Sequence, residues 1–336
     1  MAKKKRKKNR DGFLRRVQYA IEYVFVRALS GLVGMMPERL AVSAGEALGT
    51  IYWLVGFYRR RIARKNIEKA MPGERSRQAV SRLVRKVFIH IGLSTVETLW
   101  IRTHITRENI EERFPVEGVE PAKQALAGGR GGIAFTPHLG NWELFGGCMA
   151  AHLGRFNALA RPVNNPLVRA YTTRLRENLG MRVLSTRDGV RPMIKALKNG
   201  EGLAILIDQH VSRAFASVTF FGREAATTAV VASLALRMDL PIFMAYSLRD
   251  GHSFRHHGYL VGPLDLVRTG DHDADVHTNT QMFNDELEKI VRQHPEQWLW
   301  THRRWKLAER KARRRKKQRQ AAPATEECSP NVREAC

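Results

Sequence analysis

The sequence predicts an α/β fold, a mixed sheet flanked by helices, preceded by a membrane-associated N-terminal helix. Three observations lead there. Short apolar runs alternate with helical stretches beyond about residue 115. Residues 61–107 read as helix with one break. Ahead of both lie two apolar stretches interrupted by charges. A chain of 336 residues, 43% hydrophobic, buries a substantial core. Charged residues, at 26%, are near the soluble average, which excludes general disorder. No internal repeat is visible.

Residues 1–12 are expected to be a basic cytoplasmic tail. Residues 13–58 are expected to form membrane-associated helices. The first, residues 13–35, is apolar after Arg16 but contains Glu22 and Arg27. Each central charge costs a spanning helix roughly 2.5–3.5 kcal/mol, so a helix lying in the interface suits the pattern better than one that spans. No small-residue cleavage site follows it, which argues against a signal peptide. The second stretch, residues 40–58, contains Glu46 and ends at Arg59-Arg60-Arg61. Its Trp53, Phe57 and Tyr58 suit an interfacial aromatic belt; a buried helix of the main domain fits it equally. The positive-inside rule would put the N-terminal basic residues in the cytoplasm.

The main domain is expected at 59–308. Pro72-Gly73 breaks its first helical region. Buried strands are expected at 131–136, 157–160, 203–207 and 241–247. Helices are expected at 141–153, 166–179, 189–199 and 227–238, with another ending at 289–294 before Pro295. Residues 309–336 are expected to be a basic tail.

The net charge is +25, and 17 of it comes from residues 3–10 and 303–320. Such charge blocks read as solvated tails, attractive to anionic lipid, acidic proteins or nucleic acid. Cys148, Cys328 and Cys336 form neither a disulfide framework nor a zinc spacing, and a reducing compartment is the default.

The first clear strand runs into Thr136-Pro137-His138-Leu139-Gly140-Asn141-Trp142-Glu143. Pro137 ends the strand and Asn141 suits the N-cap of the next helix. His138 then lies in a loop at a strand's carboxyl end, where open α/β sheets bind ligands. With Glu143 in the first helical turn, the two side chains can meet. Glu143 would hold the imidazole in one tautomer, and His138 would take the proton of an attacking hydroxyl. That is acyl transfer without a nucleophilic side chain, and no Gly-x-Ser-x-Gly elbow suggests otherwise. The bland alternative is a histidine satisfying a helix end. Taken alone, His-x-x-x-x-Glu is a weak signal.

Three further blocks accompany it. They are Arg161-Pro162-Val163-Asn164-Asn165-Pro166-Leu167; Ile207-Asp208-Gln209 through Phe220-Phe221-Gly222 to Ala225-Ala226-Thr227-Thr228; and Pro295-Glu296-Gln297-Trp298-Leu299-Trp300-Thr301-His302-Arg303-Arg304-Trp305-Lys306. With all four in order, the chain resembles the late acyltransferases of bacterial lipid A synthesis, the lauroyl and myristoyl transferases. They belong to a superfamily with the glycerophosphate and lysophospholipid acyltransferases. The resemblance spans roughly residues 14–308 and implies an acyltransferase-like fold.

It also implies roles. His138 matches the general base and Glu143 its partner. Arg161 matches an arginine that binds phosphate or stabilises an oxyanion, tasks suited to its planar fork; a structural ion pair is the alternative. Asn164 joins the substrate-binding candidates. Asp208 and Gln209 match an acidic block at a strand end, where a structural role fits equally. Gly222 would let the backbone approach closely. Phe220 and Phe221 would line an acyl tunnel or serve as core. Arg303 and Arg304 would contact lipid phosphates or cap the last element. Two departures stand out: His210-Val211 follow Asp-Gln where the family commonly has an acidic residue and a small or aromatic one, and the basic C-terminal tail is unusual.

The expected activity is transfer of a fatty acyl group from a thioester to a hydroxyl of a lipid A precursor, in lipopolysaccharide biosynthesis at the cytoplasmic face of a bacterial inner membrane. The donor would be acyl carrier protein, or coenzyme A. The partners would be that carrier, a phosphorylated glycolipid and an anionic membrane surface. No cofactor and no metal is expected. The same chemistry on a phosphatidylinositol mannoside, an aminolipid or a glycerophospholipid is the nearest rival. A basic nucleic-acid-binding protein is the rival of another class, although no specific nucleic acid is expected because no recognition motif is present.

Overall fold

The computed structural model describes residues 2–106 and 108–310, with side chains from Gly12 onward except that of Arg102. Four helices come first: α1 (Ala2–Gly34), α2 (Glu38–Val55), α3 (Phe57–Ala70) and α4 (Arg77–His104). Then follow α5 (Ile110–Arg113), β1 (Val116–Glu117), α6 (Val119–Ala125), β2 (Gly132–Thr136), α7 (Trp142–Leu153), β3 (Phe156–Ala160), α8 (Pro166–Asn178), β4 (Met181–Ser185), α9 (Arg191–Lys198) and β5 (Gly202–Leu206). The hairpin β6 (Phe215–Phe220) and β7 (Arg223–Thr228) precedes α10 (Val230–Met238), β8 (Ile242–Arg249), β9 (His256–Val261) and α11 (His272–Gln293).

Seven strands form one mixed sheet in the order β1-β9-β8-β2-β5-β3-β4. Strands β8, β2, β5, β3 and β4 run parallel, and β9 is antiparallel to β8. A strand's side chains alternate between faces, and the two layers of core follow that alternation. Ile133 and Phe135 of β2, with Ile242 and Met244 of β8, join Phe283 and Leu287 of α11. Ala134, Phe243 and Ala245 join Phe145, Cys148 and Met149 of α7. This is the expected mixed sheet flanked by helices.

The anticipated strands and helices of the main domain are present, with ends shifted by a residue or two for most. The helix expected from 227 begins at Val230, because Arg223–Thr228 pairs with Phe215–Phe220. Strand β4 and the hairpin escaped notice: they carry alternating or small polar residues rather than unbroken apolar runs.

The N-terminal helices pack in the reverse sense. The buried residues of α2 are Ala41, Gly45 and Gly49, four residues apart on one stripe. A Cβ on Gly49 would stand 2.5 Å from Phe88 O, and one on Gly92 of α4 would stand 2.3 Å from Gly45 O. The two backbones therefore touch, and most of the larger apolar residues point away: Leu40, Ile51, Leu54, Val55, Phe57 and Tyr58 are exposed, while Tyr52 and Trp53 pack partly buried against the core. So are Phe13, Ile21, Val24, Phe25 and Met35. The charges within these stretches turn toward the main domain. Glu22 accepts from Asn165 at 2.9 Å, Arg27 lies over the Tyr171 ring, and Glu46 pairs with His252.

No single helix among the described residues is long and apolar enough to cross a membrane; α2 and α3, bent by 90° at their junction, together have the length and composition. The basic run of residues 3–10, expected as a tail, continues α1 as helical backbone; lysine and arginine are good helix formers. The C-terminal tail from residue 311 lies outside the described residues.

Candidate active site

Strands β2 and β5 are parallel, with Thr136 opposite Leu206. Two residues further along each chain come His138 and Asp208, at the same height past the carboxyl edge of the sheet. The register thus joins side chains 70 positions apart in sequence. His138 Nδ1 lies 2.6 Å from Asp208 Oδ1, and the His138 backbone amide donates to Asp208 Oδ2 at 2.7 Å. Trp298 Nε1 donates to that same oxygen at 2.7 Å. Asp208 is buried. Burial opposes its ionisation, but the His138 charge and the hydrogen bonds from His138 and Trp298 prevail and hold its carboxyl down at about 2. An ionised Asp208 assigns the Nδ1–H tautomer to His138 and leaves Nε2 with a free lone pair. Gln209 Nε2 sits 2.9 Å from that nitrogen, placed to donate to it. The His138 side chain is 13% exposed, so the imidazole is sheltered yet reachable.

This corrects the expected pairing with Glu143. Asn141 caps α7 by accepting from the Leu144 amide at 3.3 Å. Glu143, in the first turn, meets α8 instead, where Arg176 Nε and Nη2 each donate to its carboxylate at 2.8 Å. The Trp142 ring packs edge-on against the His138 imidazole, 4.9 Å between centroids. Gly140, at φ +60°, makes the close turn between strand and helix; a Cβ there would stand 2.0 Å from Ser247 O.

The other expected residues divide. Gln209 touches the His138 imidazole. Arg161, one residue past β3, is exposed at the same sheet edge and makes no hydrogen bond or ion pair among the described residues. Asn164 is exposed, whereas its neighbour Asn165 is buried, caps α8 and donates to Tyr19 O and Glu22 of α1. Gly222 is open: no described atom lies within 4 Å of where its Cβ would be. It shares the hairpin turn with Phe221, both at positive φ. Phe220 and Phe221 are core, packed on Trp298, Trp300 and Trp305. Arg303 pairs with Glu309. Arg304 is wholly buried, so it does not face lipid; it donates to Gln209 O, Ala226 O, Thr227 Oγ1 and Asn284 Oδ1, bracing the Asp208-Gln209 loop. Burial draws its guanidinium down to about 10.

Beside the site opens a cavity of about 480 Å³. Ile91, Leu99 and Ile101 of α4, Leu175 of α8 and Leu179 just past it line the cavity, with Trp142, Glu143, Arg176 and Trp298 at the side of the His138 loop. Its size and apolar lining suit a small ligand or an alkyl chain. Sequence reasoning missed Arg176, Trp298 and Asn165. Trp298 stood in a recognised block, but nothing local to it signals a partner 90 residues away.

The family model for the bacterial lipid A biosynthesis acyltransferases matches residues 7–307. The lipid A biosynthesis palmitoleoyltransferase of Escherichia coli (strain K12) is 28% identical over 256 residues, 74% of this chain and 80% of that protein. The lipid A biosynthesis lauroyltransferase of the same organism is 28% identical over 285 residues, 82% of this chain and 88% of that protein. A phosphatidylinositol mannoside acyltransferase of Mycobacterium tuberculosis (strain CDC 1551 / Oshkosh) is 26% identical over 195 residues, 56% of this chain and 59% of that protein. The chain belongs to the bacterial lipid A biosynthesis acyltransferase family.

Proposed function

We propose that the protein transfers a fatty acyl group from a thioester, carried on acyl carrier protein or coenzyme A, to a hydroxyl of a lipid A precursor. The observation that carries this reading is a histidine fixed by a buried carboxylate beside an apolar cavity. In this mechanism the acceptor hydroxyl displaces the Gln209 amide from His138 Nε2. His138 takes its proton as the oxygen attacks the thioester carbonyl carbon. Asp208 stabilises the imidazolium that forms. Arg161 and the amino end of α7 face the negative charge developing on the carbonyl oxygen. The carbon–sulfur bond then breaks, and His138 returns the proton to the departing thiolate. The acyl chain lies in the apolar cavity, and the Glu143–Arg176 pair lines the cavity next to the reacting carbonyl.

The exposed apolar face of α1 and α2, with Arg59-Arg60-Arg61 beside it, supports an interfacial position on an anionic membrane. The cytoplasmic face of a bacterial inner membrane, where acyl thioesters are available, is the location that follows. The net charge of +25 would steer an acidic carrier protein. The mycobacterial relative favours one alternative acceptor, a phosphatidylinositol mannoside.

The test is an assay with purified protein, labelled acyl carrier protein and a tetra-acylated lipid A precursor. Wild type is expected to transfer acyl groups, and His138→Ala to lose about 10²–10⁴-fold in kcat. Transfer to a different membrane lipid alone would keep the chemistry and change the acceptor. No transfer, or full activity in His138→Ala, would refute the reading.

A further inference from the structure

Against the loop that follows His138 lies a buried ionic cluster that the proton transfer does not use. His90, Ser94 and Glu97 fall four and three residues apart on one face of α4. All three are buried, Glu97 completely. The Glu97 carboxylate accepts from Asn141 Nδ2 at 2.8 Å, from His256 Nε2 at 2.8 Å and from the Arg249 guanidinium. Arg249 Nη2 also reaches Ser94 Oγ at 3.1 Å, and His90 Nε2 donates to Gly140 O at 3.0 Å. Taking charges out of water costs several kcal/mol per ion, and apolar replacements are often as stable. Stability alone therefore does not account for an ion pair sealed at this spot.

Its contacts do. Asn141 and Gly140 are the third and second residues after His138. The other segment gripped is Gln297–Leu299. Arg249 exchanges two hydrogen bonds with the Gln297 side chain, N to Oε1 at 2.8 Å and Nε2 to O at 3.1 Å. The Gly140 amide donates to Gln297 O at 3.3 Å, and the Leu299 amide donates to His138 O at 3.1 Å. Trp298, between them, is the residue that holds Asp208. Glu97 thus holds the 138–141 loop directly through Asn141, and the Gly140 and Leu299 backbone bonds join that loop to the 297–299 segment, which the Arg249 backbone also holds.

We infer that Glu97 is a positioning residue: through Asn141 it fixes the 138–141 segment, through that segment's backbone bonds it steadies 297–299, and with them it sets the height of the His138 imidazole above the bound thioester. This inference rests on the acyl-transfer reading for its kinetic consequence, but its structural consequence can be read without turnover. The experiment uses the full chain with Glu97→Gln, Glu97→Asp and Asn141→Ser. Glu97→Gln also strips Arg249 of its counter-charge. Asn141→Ser is the milder companion, since it keeps a cap oxygen for Leu144 and removes only the amide that reaches Glu97. Amide hydrogen exchange is followed by mass spectrometry alongside kcat and KM for the acyl donor. Both Glu97→Gln and Asn141→Ser are expected to speed exchange at 138–145 and 296–300 and to leave β3 and β4 unchanged. Both are expected to lower kcat by roughly ten- to a hundredfold, the scale on which misplacement by about 1 Å acts, with KM little changed. Glu97→Asp is expected to restore most of the rate. Exchange that is unaltered, or faster throughout the sheet, would overturn the inference, as would a lower melting temperature with kcat per folded molecule intact. If wild type turns over no acyl thioester, the acyl-transfer reading fails, while local exchange still decides whether Glu97 holds the loop.

Discussion

The N-terminal helices and the α/β sheet pack by opposite rules. In the sheet, large apolar side chains point inward: Phe135 stacks on Phe283 at 4.5 Å, and Trp298 and Trp300 are sealed beneath the site. In α2 the small residues Ala41, Gly45 and Gly49 point inward and Leu40, Ile51, Leu54 and Val55 outward, with Tyr52 and Trp53 partly buried against the core. The sheet is built as water requires. On the proposed interfacial position, a helix that hides glycine and shows leucine would meet a surround as apolar as leucine itself, where close backbone packing rather than the hydrophobic effect joins helices. The same amino acids are thus sorted in opposite ways within one chain, and the candidate site lies where the two regions meet: α4, which carries α2 on one side, lines the cavity on another.

That contrast can be broken. The largest effect is expected from replacing Phe25, Ile51, Leu54 and Phe57 together with serine. Each such side chain is worth roughly 1.5–3 kcal/mol on full burial. Affinity for anionic vesicles should therefore fall by at least about a hundredfold, while each replacement shifts unfolding stability by under about 0.5 kcal/mol. Vesicle flotation and urea unfolding measure the two, and unchanged flotation would show that this face does not meet lipid. Gly92→Ala should do the reverse. It inserts a methyl between two touching backbones and should cost about 1–3 kcal/mol, with acyl transfer weakened only through loss of folded protein.

A smaller, graded effect follows from the buried histidines. Burial, with help from the Arg249 charge, brings His90 from 6.5 down to about 3, and burial brings His302 to about 4. A depressed folded-state value means that the unfolded chain takes the proton first. Stability is then complete above pH 6.5 and declines as pH falls from there toward 3. Asp208 and Glu97, both held at about 2, add their share only below about pH 4. Unfolding free energy at pH 7, 6 and 5 should decrease steadily, and His90→Gln should flatten the decrease. A flat wild-type profile would mean that His90 is protonated in the fold.

Much of the sheet domain was legible because its strands are unbroken apolar runs and its helices carry caps: Pro137, His138 and Asn141 stand where sequence reasoning put them. What was not legible depends on register. His138 and Asp208 meet only because Thr136 pairs with Leu206, and no local pattern announces which of several strands will be neighbours. Glu143, five residues from His138, looked the nearer partner because sequence distance is visible and Arg176 on α8 is not. Gly222 and Arg304 were read as ligand contacts because residues within a motif invite that reading. A hairpin turn and a buried brace are the structural reasons for their types. The stripe Ala41-Gly45-Gly49 was present in the sequence at helical spacing, yet a small residue carries no hydropathy signal strong enough to mark a buried face.

The central claim is that His138 and Asp208 act as one unit. Its most direct test is a double-mutant cycle in kcat for acyl transfer with His138→Ala, Asp208→Asn and both together. The account predicts that Asp208→Asn alone lowers kcat by about 10²–10⁴-fold and that the double variant is little worse than either single one, as expected for residues that share a task. A rate for Asp208→Asn within a few-fold of wild type, or losses that multiply in the double variant, would contradict it.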